Sequence, residues 1–129
     1  MKVILDTNAL MIPEQFGVDI FSELQRLGYV ECIVPSQVLA ELETLKIKGN
    51  KGLDKIAARV GLSLAGRCKI IDDVSGNADQ AVEQLAVREN AAVFTNDKAL
   101  KKRLFTKDVP VVYLRQGRYL EVTLRSSDV

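Results

Sequence analysis

Hydrophobic positions along this chain follow two patterns that take turns. Short unbroken apolar runs occur in VILD at 3–6, VECIVP at 30–35, CKIID at 68–72, AAVFTN at 91–96 and VPVVYL at 109–114. Such runs leave no wet face and suit strands buried on both sides. Between them, apolar residues recur at helical spacing: Ile20, Phe21, Leu24 and Leu27, then Val38, Leu42 and Leu45, then Ala78, Val82 and Leu85. Punctuation residues agree with this division. Pro13 and Gly17 give MIPEQFG turn chemistry, with Thr7 and Asn8 starting the turn; Gly28 stops the first helix. Pro35 closes the second strand and Ser36 is placed to cap QVLAELETLKI. Gly49 and Gly52 with their lysines make KIKGNKG an exposed loop ahead of LDKIAARVGLSLAG, and Gly76 and Asn77 introduce ADQAVEQLAVREN. DKALKKRLF reads as a helix and RYLEVTL as a last edge strand.

Apolar strands separated by helices predict an α/β domain, doubly wound, whose central parallel sheet is covered on both faces. At 129 residues one domain is expected over 1–129. No apolar run approaches a membrane span, and Met1 leads directly into a strand, so the expectation is a cytoplasmic protein. Cys32 and Cys68 lie far apart in apolar segments without a C-x-x-C pair, which favours buried free thiols over a disulfide or zinc site.

The chain has no histidine, so imidazole can serve neither as general base nor as metal ligand. Carboxylates, Lys, Tyr or a metal must do such work. Net charge is +1, but residues 1–97 hold 10 basic and 14 acidic groups, whereas 98–125 hold eight basic and two acidic. That quarter is either a solvated helix face or a footprint for a polyanion.

In open sheets of this kind, ligands bind beyond the carboxyl ends of the strands, near the point where strand order reverses. Asp6 ends the first strand and Asp97 follows AAVFTN, so both belong to that edge, as turn or cap residues or as chemistry. Glu41 falls on the flank of the arc defined by Val38, Leu42 and Leu45; it needs either a lysine such as Lys46 or Lys48 or a site. Asp79 is favoured by the dipole at the start of its helix, yet it borders the apolar stripe and can face inward. Four carboxylates brought together repel, by roughly 4 kcal/mol per pair at about 4 Å and an effective dielectric of 20, unless a cation joins them. Oxygen donors alone suit Mg²⁺ or Mn²⁺, which can activate water and stabilise a phosphodiester under attack.

Four segments, VILDTN, VPSQVLAELE, NADQAVEQLA and VFTNDKALKKRL, together resemble the PIN-domain ribonucleases, in particular archaeal VapC-like proteins and relatives in small-subunit ribosomal RNA processing. The resemblance covers nearly the whole chain in the family's order. It implies an α/β/α three-layer sandwich and a Mg²⁺- or Mn²⁺-dependent endoribonuclease, often a homodimer. In that pattern Asp6, Glu41, Asp79 and Asp97 are metal and catalytic acids, and Thr95 orients a carboxylate or a metal water. Asn8 and the basic residues Lys98, Lys101, Lys102 and Arg103 become candidates for RNA contact, with Arg115 and Arg118 extending that surface. A toxin of this kind implies a cognate antitoxin, and a processing enzyme a defined precursor RNA. Outside this reading stand a non-catalytic PIN scaffold and a Mg²⁺-binding receiver domain. The receiver pattern wants an acidic pair after the first strand, where this chain has DTN; Asn8 likewise excludes a haloacid-dehalogenase-type phosphatase.

Overall fold

The computed structural model describes residues 1–49 and 52–124. In chain order the elements are β1 (Lys2–Leu5), α1 (Thr7–Phe16), α2 (Ile20–Arg26), β2 (Glu31–Pro35), α3 (Ser36–Lys48), α4 (Gly52–Ala65), β3 (Lys69–Ile71), α5 (Ala78–Arg88), β4 (Ala92–Phe94), α6 (Lys98–Thr106), β5 (Val111–Arg115) and β6 (Tyr119–Thr123). Five strands run parallel and β6 pairs antiparallel with β5, in the order β3-β2-β1-β4-β5-β6. Helices cover both faces, giving the three-layer α/β/α sandwich expected.

The sheet's centre is as dry as the apolar runs require. Val3, Ile4, Leu5, Val34, Val93, Phe94, Val111 and Val112 are fully buried. Leu5 pairs with Phe94, so the carboxyl ends of β1 and β4 lie side by side. There the strand order reverses: β2 and β3 follow on one side of β1, β4 and β5 on the other.

Two local expectations are corrected. MIPEQFG is not a turn: Thr7 and Asn8 open α1, which runs through Pro13 to Phe16 and ends at Gly17 in the left-handed region, φ 68°. Pro13 removes one helix hydrogen bond, but Ala9, Leu10, Met11 and Ile12 are all buried, and that packing outweighs the loss. Ser36 is not a cap but the first residue of α3, preceded by Pro35 with no side-chain capping bond. Pro35 already supplies the extended backbone that an N-cap needs. Of the predicted loop KIKGNKG, residues 46–48 end α3 and Gly52 begins α4; Asn50 and Lys51 lie outside the described residues. The cysteines are free, as expected, but only half-buried.

One close contact locks the helices that follow the sheet edge. Gly61 of α4 faces α1 so tightly that a Cβ there would stand 2.9 Å from the Leu10 carbonyl oxygen. Backbone cannot step aside as a flexible side chain can, so Gly61→Ala should cost about 1–3 kcal/mol. Denaturant unfolding should show a lower midpoint with an unchanged slope.

Candidate active site

Asp6 follows β1 directly and caps α1: its Oδ1 accepts the Ala9 N–H at 2.8 Å. The same side chain is only 5% exposed, although it ends a strand of the central sheet. Burial is the largest influence on it and pushes its pKa up to about 7; hydrogen bonds from Thr95 and Ala9 pull down, and the charges of Asp79 and Asp97 push up further. Asp6 therefore feels two other carboxylates.

Thr95, wholly buried at the end of β4, links the two strand ends. Its hydroxyl hydrogen-bonds the Asp6 carboxyl, and its oxygen accepts the Asp97 N–H at 3.0 Å. Asp97 in turn caps α6 through the Leu100 N–H at 2.9 Å. Asn96 bridges to β5, donating to the Leu114 carbonyl at 3.3 Å and accepting from the Leu114 N–H at 2.8 Å. The turn carrying Thr95 and Asp97 is thereby tied to the sheet on both sides. Thr7, buried beside Asp6 in the chain, has a hydroxyl without a hydrogen-bond partner among the described residues.

Asp79 arrives from α5, whose start is fixed by a capping box between Asn77 and Gln80. Arg103 of α6 holds it: Nη2 donates to Asp79 Oδ2 at 3.2 Å, while Nε donates to Glu83 Oε1 at 2.9 Å. Lys107 stands 3.9 Å from the same Glu83 oxygen. Glu83 was not among the candidates, although its position four residues after Asp79 put the two on one helix face. Arg103, expected to be open to phosphate, is committed to these two acids. Lys98 and Lys102 are exposed on α6, and Lys101 lies over the Tyr113 ring, 5.6 Å from its centroid. Asn8 is exposed in the first turn of α1.

Glu41 is exposed on α3. Lys46, one candidate partner, pairs instead with Glu43 at 3.0 Å. One turn before Glu41 on the same face, Gln37 donates to the Val74 carbonyl at 2.6 Å, binding α3 to the segment that leads into α5. Glu41 thus belongs to the helix face turned toward α5, while the carboxylates acting on Asp6 are those of Asp79 and Asp97.

The four acids do not close around a point. Among the described residues, no three His, Cys, Asp or Glu side chains stand close enough to hold one metal ion. The reasons are visible: Asp79 is drawn to Arg103, and Asp6 and Asp97 each spend an oxygen capping a helix. In kind, however, the donors fit a hard divalent cation. They are oxygens only, and the central one is a carboxyl that burial, with added repulsion from Asp79 and Asp97, keeps from ionising at its usual pH.

Residues 3–117 match the family model described as a PIN like domain. Ribonuclease VapC4 of Methanocaldococcus jannaschii is 33% identical over 125 residues, covering 94% of this chain and 95% of that protein. Ribonuclease VapC9 of Archaeoglobus fulgidus is 29% identical over 121 residues, covering 94% and 88%. Among solved structures, the PIN domain endonuclease Utp24 superposes with a TM-score of 0.78 at 25% identity, covering 95% of this chain and 91% of that one. The VapBC2 complex of Rickettsia felis bound to a promoter DNA fragment superposes at 0.58 and 23% identity, covering 79% of this chain and 92% of that one, a likeness of fold.

Proposed function

The chain belongs to the PIN-like domain family, and from that premise we infer that it is a divalent-metal-dependent endoribonuclease, a single domain acting at the crevice between β1 and β4. The observation that carries this reading is Asp6: a buried carboxyl, raised to about 7, lying within reach of the charges of Asp79 and Asp97 where strand order reverses. Such an acid is costly to keep without a role and becomes favourable beside a cation. Two relatives named as ribonucleases cover nearly the same length of chain, which supports RNA as the substrate.

Asp6 and Asp97 would hold Mg²⁺ or Mn²⁺ most directly, with Asp79 and Glu41 as further ligands or as groups that orient water. The cation, when bound, would supply an activated water and stabilise charge developing on the phosphate. The residues of the chain do the rest. Thr95 fixes the relative position of Asp6 and Asp97 through its hydroxyl. Arg103 holds Asp79 in reserve, and that contact must loosen for Asp79 to join the cation. Lys98, Lys101 and Lys102 on α6, with Asn8 on α1, border the crevice and meet RNA phosphates, which positions the strand without reading its sequence. Hence Lys98→Gln with Lys102→Gln should weaken RNA binding and flatten its dependence on salt by roughly 0.7 log units per lost phosphate contact. An unchanged slope would remove α6 from the RNA surface.

The VapC relatives favour a toxin-like role in the cytoplasm, with a cognate antitoxin as partner and a homodimer as working form, over the processing of a defined precursor RNA. One observation favours a second reading, a PIN scaffold that binds RNA or protein without cutting: the Arg103–Asp79 ion pair occupies an acid the metal would need. Incubation with structured RNAs, with and without Mn²⁺, separates the two. Defined internal ends that appear only with metal support the nuclease. Intact RNA retained by the protein supports the scaffold.

A further inference from the structure

Cys32 and Cys68 stand side by side near the start of β2 and β3, at the sheet edge opposite the acids. Ile33 pairs with Lys69, the first residue of β3, so Cys68, immediately before that strand, comes up beside Cys32. Neighbouring strands lie about 4.8 Å apart, inside the roughly 4.4–6.8 Å of Cα separation that a disulfide accepts. The two thiols are close enough to perturb one another, and both pack, half-buried, against the core. The Cys32 thiol also reaches the Arg67 carbonyl at 3.5 Å. It is accessible as well. Cys32 lines an open cavity of about 290 Å³ together with Phe21, Tyr29 and Arg67, whose guanidinium lies 4.1 Å over the Phe21 ring.

We propose that Cys32 and Cys68 form a hydroperoxide-reactive dithiol site, Cys32 attacking and Cys68 resolving, that closes to an intramolecular disulfide stapling β3 to β2. The pairing assigns the roles. The contact with Cys68 and the Arg67 charge draw the Cys32 thiol below its ordinary range, while the same contact and burial push Cys68 up. Cys32, which lines the open cavity, is thus the sulfur that an incoming peroxide meets and the one more readily deprotonated. The thiolate attacks the peroxide O–O bond; an S–O bond forms and hydroxide leaves, which takes up a proton. Cys68 then loses its proton and attacks the Cys32 sulfur; the S–S bond forms, the S–O bond breaks and water leaves. The two sulfurs together give up two electrons to the peroxide. The bridge closes a loop containing most of β2 with α3 and α4, which restricts the unfolded chain.

Brief hydrogen peroxide treatment of the full chain, read by intact mass and thiol titration, tests this. Both thiols should disappear together with a mass loss equal to two hydrogens, in a species that contains no intermolecular disulfide and regains both thiols with dithiothreitol. The oxidised form should melt higher by about 5 °C or more. Cys68→Ser should leave Cys32 as a sulfenic acid that dimedone traps, whereas Cys32→Ser should leave Cys68 unreacted at the same exposure. Circular dichroism establishes that each variant is folded. Survival of both thiols while the methionines oxidise, bridges formed only between molecules, or equal reactivity of the two variants would overturn the proposal.

Discussion

Without metal at pH 7, Asp6→Asn should melt on the order of 10 °C above the natural chain. The sign follows from protonation. The folded state holds the Asp6 proton up to about pH 7, whereas the unfolded chain releases it near 3.8. Between those values the native state binds more protons, so stability falls as pH rises through that window and levels off above it. Three pKa units correspond to about 4 kcal/mol for this buried group. Asparagine keeps the acceptor for the Ala9 N–H, because Asn caps a helix as well as Asp does, so the substitution removes the charge and spares the cap. Melting curves at pH 4 to 8 should show the natural chain losing stability with rising pH and the variant much less. Parallel profiles would mean that Asp6 carries no such penalty.

Loss of RNA cleavage is the larger effect. Asp6→Asn and Asp97→Asn should each lower the metal-dependent cleavage rate by on the order of 10³-fold, since a cation held there would lower the barrier by several kcal/mol. Both variants keep their helix caps, and their melting transitions should stay cooperative. The inactivity can therefore be read as lost chemistry. Thr95→Val should have an intermediate effect, because it leaves both carboxylates in place and removes the hydroxyl between them. Cleavage by Asp6→Asn at the natural rate would detach the crevice from the nuclease.

Much of this arrangement was legible from residue order, and the reasons are local. The strands announce themselves because a sheet covered on both faces needs continuous apolar runs, and β1, β2, β4 and β5 have them. Asp6 and Asp97 could be placed on one edge because parallel strands all end there. The likeness of four ordered segments to PIN ribonucleases agrees with the family match over residues 3–117. Helix α1 was hidden because Pro13 and Gly17 are turn residues in most settings, whereas here tertiary burial of Leu10 and Ile12 decides. The hold of Arg103 on Asp79 and Glu83 was not legible, since it joins α6 to α5 and depends on the angle at which they pack. The meeting of Cys32 with Cys68 depends on strand register, which spacing along the chain does not report. Nor could spacing show that Glu41 lies exposed while Asp6 is buried.

The central claim is that the crevice between β1 and β4 holds a carboxyl poised for a divalent cation. A ¹³C NMR titration of the aspartate carboxyls, with Asp6 assigned by its absence in Asp6→Asn, tests it directly. Asp6 should titrate near pH 7 in the metal-free protein, and Mg²⁺ should drive that value down, because a bound cation favours the carboxylate. An Asp6 that titrates in the ordinary range near 4 and ignores Mg²⁺ would contradict both the burial penalty and the metal site.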